Sequence, residues 1–353
     1  MTGAGSNDKI FMFYYLQIFI ITLLLSVALT WLVMKIAVRL GITDRPDSER
    51  KIHGRSVPLL GGLAVFAAFF IVLYFVREQL LAGNLEPRHW LGFFVGAGFL
   101  MIGGWLDDKY NLKPAWQIIW PALAITSLII GGVEIEKITN PLGGFIYLGA
   151  FSTVLIALWL LGMMYATKLL DGLDGLVSGM TAIGAIVIFL FTMTTKYYQP
   201  DIGLAALVLA AACLNFLFFN WHPAKIFLGE GGSLFLGYAL GVLAIISGGK
   251  FAIALLVMGI PILDVAWTII RRLIAGKNPF KFADQKHLHF RLLNLGLSVR
   301  QSVLLYYGLA AVFGLLALFL QSRGKVLALA VLGFIMILAI WLFYYLDKKG
   351  KVN

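Results

Sequence analysis

Apolar residues fall in eleven runs along the chain, near 11–34, 59–76, 90–106, 115–133, 144–166, 175–194, 202–219, 232–249, 251–270, 302–320 and 326–346. A helix needs roughly 20 apolar residues to cross a bilayer. Several runs are short or carry Gly, which is frequent in membrane helices. The pattern predicts an all-α polytopic membrane protein, a bundle of about eleven transmembrane helices forming a single domain over residues 1–353. No internal repeat divides it. The first ten residues are too polar for the apolar part of a signal peptide. Residues 11–37 are too long for one and lack a small-residue cleavage site, so they read as a retained first span.

Composition points the same way. Of 353 residues, 61% are hydrophobic and 13% charged, about half the soluble norm of roughly 25%. A water-soluble domain could not hide that much apolar surface in one core. This excludes a soluble enzyme, a disordered chain and a nucleic-acid-binding module. The single cysteine, Cys213, sits in an apolar run and reads as a small core residue.

Eleven spans place the termini on opposite sides, and the positive-inside rule chooses between the two orientations. With the 35–58 connection cytoplasmic, 20 of the 28 Lys and Arg lie on that side. The expected orientation is N-terminus out, C-terminus in, in the cell (inner) membrane. The net charge of +11 is mostly this asymmetry. Eleven of the 17 Asp and Glu fall in or beside the same cytoplasmic segments, as do four of the five His. Chemistry is therefore expected at the cytoplasmic face.

Five segments there carry candidate chemistry. In 104–114, Asp107 and Asp108 stand where the third span ends. Adjacent carboxylates repel unless a cation neutralises them, which suggests a divalent ion or phosphate chemistry. In 165–179, Asp171 and Asp174 are three apart, a spacing that shares one face if helical, and the flanks are apolar. Ionisable groups at such depth are functional candidates. In 220–237, Glu230 precedes Gly231, Gly232 and Ser233 at the start of a span, where free N–H groups suit an anion; alternatively Ser233 is simply the N-cap. In 284–296, His287 and His289 flank one residue beside Lys286 and Arg291, a titratable, cationic cluster suited to phosphate. In 44–62, Arg45, Arg50, Lys51, His53 and Arg55 form a basic connection. Asp264 lies inside the ninth span, either pairing with Arg271 or Arg272 or lining a cavity. Zinc spacing, a P-loop, an HExxH pair and a G-x-S-x-G elbow are absent. Carboxylates, cations and glycines at a membrane surface fit transfer of a phosphorylated group onto a lipid, which needs mainly positioning and charge neutralisation.

Together these segments resemble the polyprenyl-phosphate N-acetylhexosamine-1-phosphate transferases. The matching pieces, in order, are DRPxxxRKxHxxxxPxxGG (44–62), the Asp pair (107–108), LLDGLDGL (169–176), NWHPAKIFLGEGGSLFLG (220–237) and HLHFRL (287–292). PILDxxxxIIRR and HxHxRL look more like the branch that uses UDP-GlcNAc than the phospho-MurNAc-pentapeptide branch, which stays as the alternative. The resemblance implies a bundle of ten or eleven helices with a cytoplasmic active site. It implies transfer of a sugar 1-phosphate from a UDP-sugar to a polyprenyl (undecaprenyl) phosphate, with release of UMP, as the first membrane step of cell-envelope glycan synthesis. Mg²⁺ is the implied cofactor, with Mn²⁺ an acceptable substitute.

By the same resemblance, Asp107 and Asp108 orient or deprotonate the lipid phosphate and help place the metal. Glu230 and Asp171 are its ligands, and Asp171 also counts among the catalytic residues. Asp174 contacts the uracil. His287 and His289 bind or polarise phosphate or sugar, supported by Lys51, His53, Lys168 and Arg291. The chain departs from the family pattern at Tyr165 and Lys168 (usually Asn), Gln117 (usually Lys), Glu230 (usually Asp) and Phe290 (usually His). Lys168 is a candidate replacement for the cation missing at Gln117. Gly231 and Gly232 are expected to give the longer Glu230 arm room. Oligomeric state stays open, a homodimer included. Two rival classes remain: a secondary transporter, which should show midspan charges and related halves, and an aromatic prenyltransferase, which needs two Asp-rich motifs.

Overall fold

The structure is a computed structural model and describes residues 4–44, 46, 56–83, 85–140, 143–194, 197–248, 250–276 and 287–348. Lys51 and His53, with Arg45, Arg50, Arg55 and Lys286, lie outside the described residues.

The apolar runs become helices. They are α1 (Ala4–Arg39), α2 (Gly61–Phe75), the short α3 (Arg77–Leu80), α4 (Pro87–Tyr110), the short α5 (Pro114–Gln117), α6 (Ile119–Ile130), α7 (Phe151–Leu170), α8 (Leu176–Thr192), α9 (Pro200–Asn220), α10 (Gly229–Ile246), α11 (Phe251–Ile274), the short α12 (Leu288–Asn294), α13 (Val299–Phe319) and α14 (Ser322–Lys348). Eight of these are long and apolar enough to cross a membrane; three more apolar helices, Gly61–Phe75, Pro114–Ile130 and Leu176–Thr192, are shorter. The 15 residues of α2 rise roughly 22 Å, short of a hydrocarbon core of roughly 30 Å.

The predicted run 144–166 is corrected. Its first residues form strand β4 (Phe145–Tyr147), paired antiparallel with β3 (Lys137–Thr139), and α7 starts only at Phe151. Gly143, Gly144 and Gly149 have positive φ, which breaks any helix there. An apolar strand and an apolar helix merge in a hydropathy count.

Helices α8, α9 and α10 form the centre. Ala205, Ala206 and Ala210–Ala212 are buried on α9, where small side chains let helix backbones approach closely. Outer helices keep apolar groups exposed, such as Leu24 and Trp31 on α1 and Phe334 and Trp341 on α14, as a lipid-facing surface requires. Several buried polar groups are satisfied between helices. Asn215 Nδ2 donates to Ser26 Oγ at 3.1 Å, Trp159 Nε1 to Gly241 O at 3.0 Å and Tyr238 O–H to Ala124 O at 3.2 Å.

Two backbone features place the start of α10. Strands β1 (Thr43–Asp44) and β2 (Val57–Pro58) pair antiparallel, and the chain after β2 then pairs with 227–228. Phe227 N–H donates to Pro58 O at 2.9 Å, and Gly62 N–H to Leu228 O at 2.8 Å. Glycines then let α10 wedge between α2 and α4. A Cβ on Gly62 would stand 2.0 Å from Gly232 Cα, and one on Gly104 would stand 2.0 Å from Gly231 N. Gly231 and Gly232 are therefore packing contacts, not room for the Glu230 arm.

Candidate active site

The connections that follow α1, α4, α7, α9 and α11 meet at one end of the bundle. There a cavity of about 610 Å³ is lined by Asp44, Asp108, Lys168, Asp171, Asp174, His222 and Glu230, with Phe290 from α12. Asp107, His287, His289 and Arg291 are not among its lining residues.

The two adjacent carboxylates divide their work. Both sit in the last turn of α4, where the helix dipole disfavours negative charge. Asp107 Oδ1 accepts the Leu112 N–H at 2.7 Å, and Gln117 Nε2 donates to its two oxygens at 3.1 and 3.0 Å. Asp107 thus clamps the 112–117 turn. Asp108 points the other way and accepts the Glu230 N–H at 3.1 and 3.3 Å. The anion at the α10 N-terminus is the protein's own carboxylate, which gains from that helix's dipole what it loses on α4. Ser233 is not the N-cap; its hydroxyl donates to Glu230 O at 3.0 Å.

Asp171 and Asp174 are not on a helix. Asp171 caps α7 and Gly175, at φ 82°, opens α8, so the pair lies on the turn between them. Asp171 is solvent-accessible on the cavity wall; desolvation by the surrounding protein, reinforced by Glu230, Asp108 and Asp174, raises its carboxyl to about 8. Asp174 Oδ2 is held by His222 Nδ1 at 2.7 Å and by the Ala224 N–H at 3.0 Å. The His222 carbonyl in turn accepts from Arg300 Nε and Nη2 at 3.0 and 2.8 Å. Asn220 Oδ1 accepts from Gly175 N–H at 3.0 Å, and its Nδ2 donates to Ile226 O at 2.9 Å. Sequence reasoning missed the roles of His222, Asn220 and Arg300. The proximity of His222 and Asn220 to the Glu230 segment was the available signal.

Lys168 is anchored on the last turn of α7. Its ammonium donates to Gln117 Oε1 at 3.0 Å, forms an ion pair with Glu230 and lies 5.7 Å from the Tyr165 ring centre. Three of the other positions that depart from the family pattern, Gln117, Glu230 and Tyr165, thus surround the Lys168 ammonium. Lys168 and Gln117, between which an exchange of the cation is expected, are directly bonded.

The histidine segment is held less like a cationic cluster than its sequence suggested. Asp264 Oδ2 bonds His287 Nδ1 at 2.9 Å, and Asp264 Oδ1 accepts the Leu288 N–H at 3.1 Å. Asp264 therefore fixes His287, a partner not among those expected. His289 is fully buried and stacks on His287 with centroids 5.6 Å apart and planes 5° apart. Burial pushes its imidazole down to about 4, so it is neutral at physiological pH. Neither of its ring nitrogens has a hydrogen-bond partner among the described residues. It supports the 171–175 turn: a Cβ on Gly172 would stand 2.5 Å from His289 Nε2. Arg291 lies over the Phe343 ring at 5.3 Å, on α14.

Among the described residues no three Asp, Glu, His or Cys groups converge as a ready metal cage. The donor set still fits a hard divalent ion. Asp108, Asp171 and Glu230 line one cavity, all donate oxygen, and their mutual repulsion marks an excess of negative charge.

A second cavity, of about 220 Å³, is lined by Leu60, Leu63, Met101, Ile102, Trp105, Leu228, Gly231 and Gly232. Its one charged lining residue is Asp108, which it shares with the first.

Residues 90–248 match the pattern of glycosyl transferase family 4. The chain is 34% identical over 342 residues to the "Probable undecaprenyl-phosphate N-acetylglucosaminyl 1-phosphate transferase" of Bacillus subtilis (strain 168), covering 95% of this chain and 92% of that one. It is 32% identical over 302 residues to the decaprenyl-phosphate N-acetylglucosaminephosphotransferase of Mycolicibacterium smegmatis, covering 77% and 73%. It is 30% identical over 331 residues to the phospho-N-acetylmuramoyl-pentapeptide-transferase of Halalkalibacterium halodurans, covering 89% and 98%. The first of these matches spans nearly the whole chain. The chain belongs to the polyprenyl-phosphate N-acetylhexosamine-1-phosphate transferases, within glycosyl transferase family 4.

Proposed function

We propose that this protein transfers N-acetylglucosamine 1-phosphate from UDP-N-acetylglucosamine to undecaprenyl phosphate and releases UMP, at the cytoplasmic face of the cell membrane. The observation that carries this reading is the meeting of two unlike cavities at Asp108. One is charged and large enough for a nucleotide sugar; the other is apolar and suits the first isoprene units of a lipid. A polyprenyl phosphate needs such a junction, with its phosphate in the first and its tail leaving through the second.

In this reading Asp108 orients the lipid phosphate and takes its remaining proton. A lipid phosphate oxygen then attacks the β-phosphorus of the UDP-sugar. The bond from that phosphorus to the bridging oxygen breaks, and UMP departs. The Lys168 ammonium faces the diphosphate. Asp174, fixed by His222 and the Ala224 N–H, is the contact for the uracil. His287, oriented through Nδ1 by Asp264 and stacked on His289, acts from behind the cavity wall rather than on the ligand. Asp107 acts at one remove, through Gln117 and Lys168. Asp171 and Glu230 would hold Mg²⁺, which when bound supplies neutralisation of the phosphate charge.

Eleven membrane crossings accommodate the cavity and the charge asymmetry together. The three short helices are packed against longer ones, and α2 and α8 bury most of their residues, so their length need not match lipid thickness. Purified protein, undecaprenyl phosphate and a panel of UDP-sugars that includes UDP-MurNAc-pentapeptide test the reading. UMP release with UDP-GlcNAc is expected; release only with the pentapeptide substrate, or with none, contradicts it.

A further inference from the structure

We infer that the Lys168 ammonium is a tethered counter-ion for Glu230 that must yield it when a divalent ion binds. The inference rests on the transferase reading and adds a competition within its site. Glu230 is paired with Lys168. Five carboxylates, Asp44, Asp108, Asp171, Asp174 and Glu230, line the cavity with one ammonium among the described residues. An internal cation lowers that repulsion before any ligand arrives.

The ammonium is also held from behind. Gln117 Oε1 accepts its proton at 3.0 Å, and the Tyr165 ring centre lies 5.7 Å away. Gln117 is itself fixed by Asp107 and by Leu112 O, to which its Nε2 donates at 3.0 Å. On losing Glu230, Lys168 therefore remains at the cavity wall. There it has donors free for an incoming phosphate oxygen, since an ammonium carries three. A divalent ion with two charges and a preference for carboxylate oxygens takes Glu230 from it. The exchange couples metal entry to release of a phosphate-binding cation, and it weakens metal binding in the absence of substrate.

The test is Mn²⁺ binding to the full-length protein in detergent without substrate, read from the electron paramagnetic resonance signal of free Mn²⁺. Lys168→Met should bind Mn²⁺ about tenfold more tightly than the unaltered protein, the scale of one partly buried charge pair. Lys168→Gln, whose amide still reaches Gln117, should shift the same way and guards against misfolding of the first variant. Glu230→Gln should bind weakly, and adding Lys168→Met to it should gain nothing. Equal or weaker binding in both Lys168 variants overturns the inference, as does a gain that persists without Glu230. If no form binds Mn²⁺, the competition is refuted, while UMP release still decides the transferase reading separately.

Discussion

Asp171 shares a cavity with Glu230, Asp108 and Asp174, and desolvation together with their charges displaces its carboxyl upward to about 8. A raised carboxyl contributes stability below its unfolded value of roughly 4 and loses it as pH rises through the folded value. Metal-free protein should therefore melt at lower temperature as pH rises from about 4 towards 8. Asp171→Asn should flatten that fall, and thermal melts across pH check it. Catalysis asks for the opposite state, a carboxylate. Asp108→Asn and Asp171→Asn should each lower turnover at least about 10²-fold, the scale of a positioned charge-stabilising group, with folding retained because each change is isosteric. Steady-state UMP release measures this, and near-normal rates in both would move the site elsewhere.

At the scale of elements, the site depends on how closely α4 and α10 approach. A Cβ on Gly104 meets the backbone of Gly231, which cannot rotate away. Gly104→Ala should cost about 1–3 kcal/mol and should lower activity further by pulling the Glu230 N–H off Asp108. Gly98→Ala on the same helix, where a Cβ meets nothing within 4 Å, is the control; melting and UMP release compare the two. Between α5 and α7, Gln117 and Lys168 meet tip to tip at 3.0 Å. An ammonium delivered from position 117 would reach nearly the same point. Lys168→Asn should therefore lower kcat/KM at least about tenfold, and adding Gln117→Lys should restore most of it. No recovery would mean that Lys168 does more than place a charge. These pairings were hidden in the sequence for a common reason. Gln117 and Lys168 are 51 residues apart, Asp174 and His222 are 48 apart, and Asp264 and His287 are 23 apart. Helix identities follow from local apolar length, and carboxylates at span ends announce themselves. Which polar tip faces which is set by helix packing, and that packing turns on contacts such as Gly104 against Gly231.

At the scale of the molecule, the connections carrying chemistry converge on one end, as their charge predicted from the sequence. What the sequence did not show is that the end contains two cavities that share one lining carboxylate, Asp108. The orientation has its own check. Cys213 is buried in the bundle, so introduced cysteines report without background. Lys137→Cys should react with an impermeant thiol reagent in intact cells, and Lys113→Cys only after the membrane is opened; the reverse would invert the topology. The central claim is that a sugar leaves its nucleotide with one phosphate attached. UDP-N-acetylglucosamine labelled with ³²P at the β-phosphorus, given to the purified protein with undecaprenyl phosphate, tests it most directly. The account predicts that the label moves into the lipid fraction and that unlabelled UMP is released in equal amount. Label remaining in free UDP, with the sugar alone on the lipid, would contradict it.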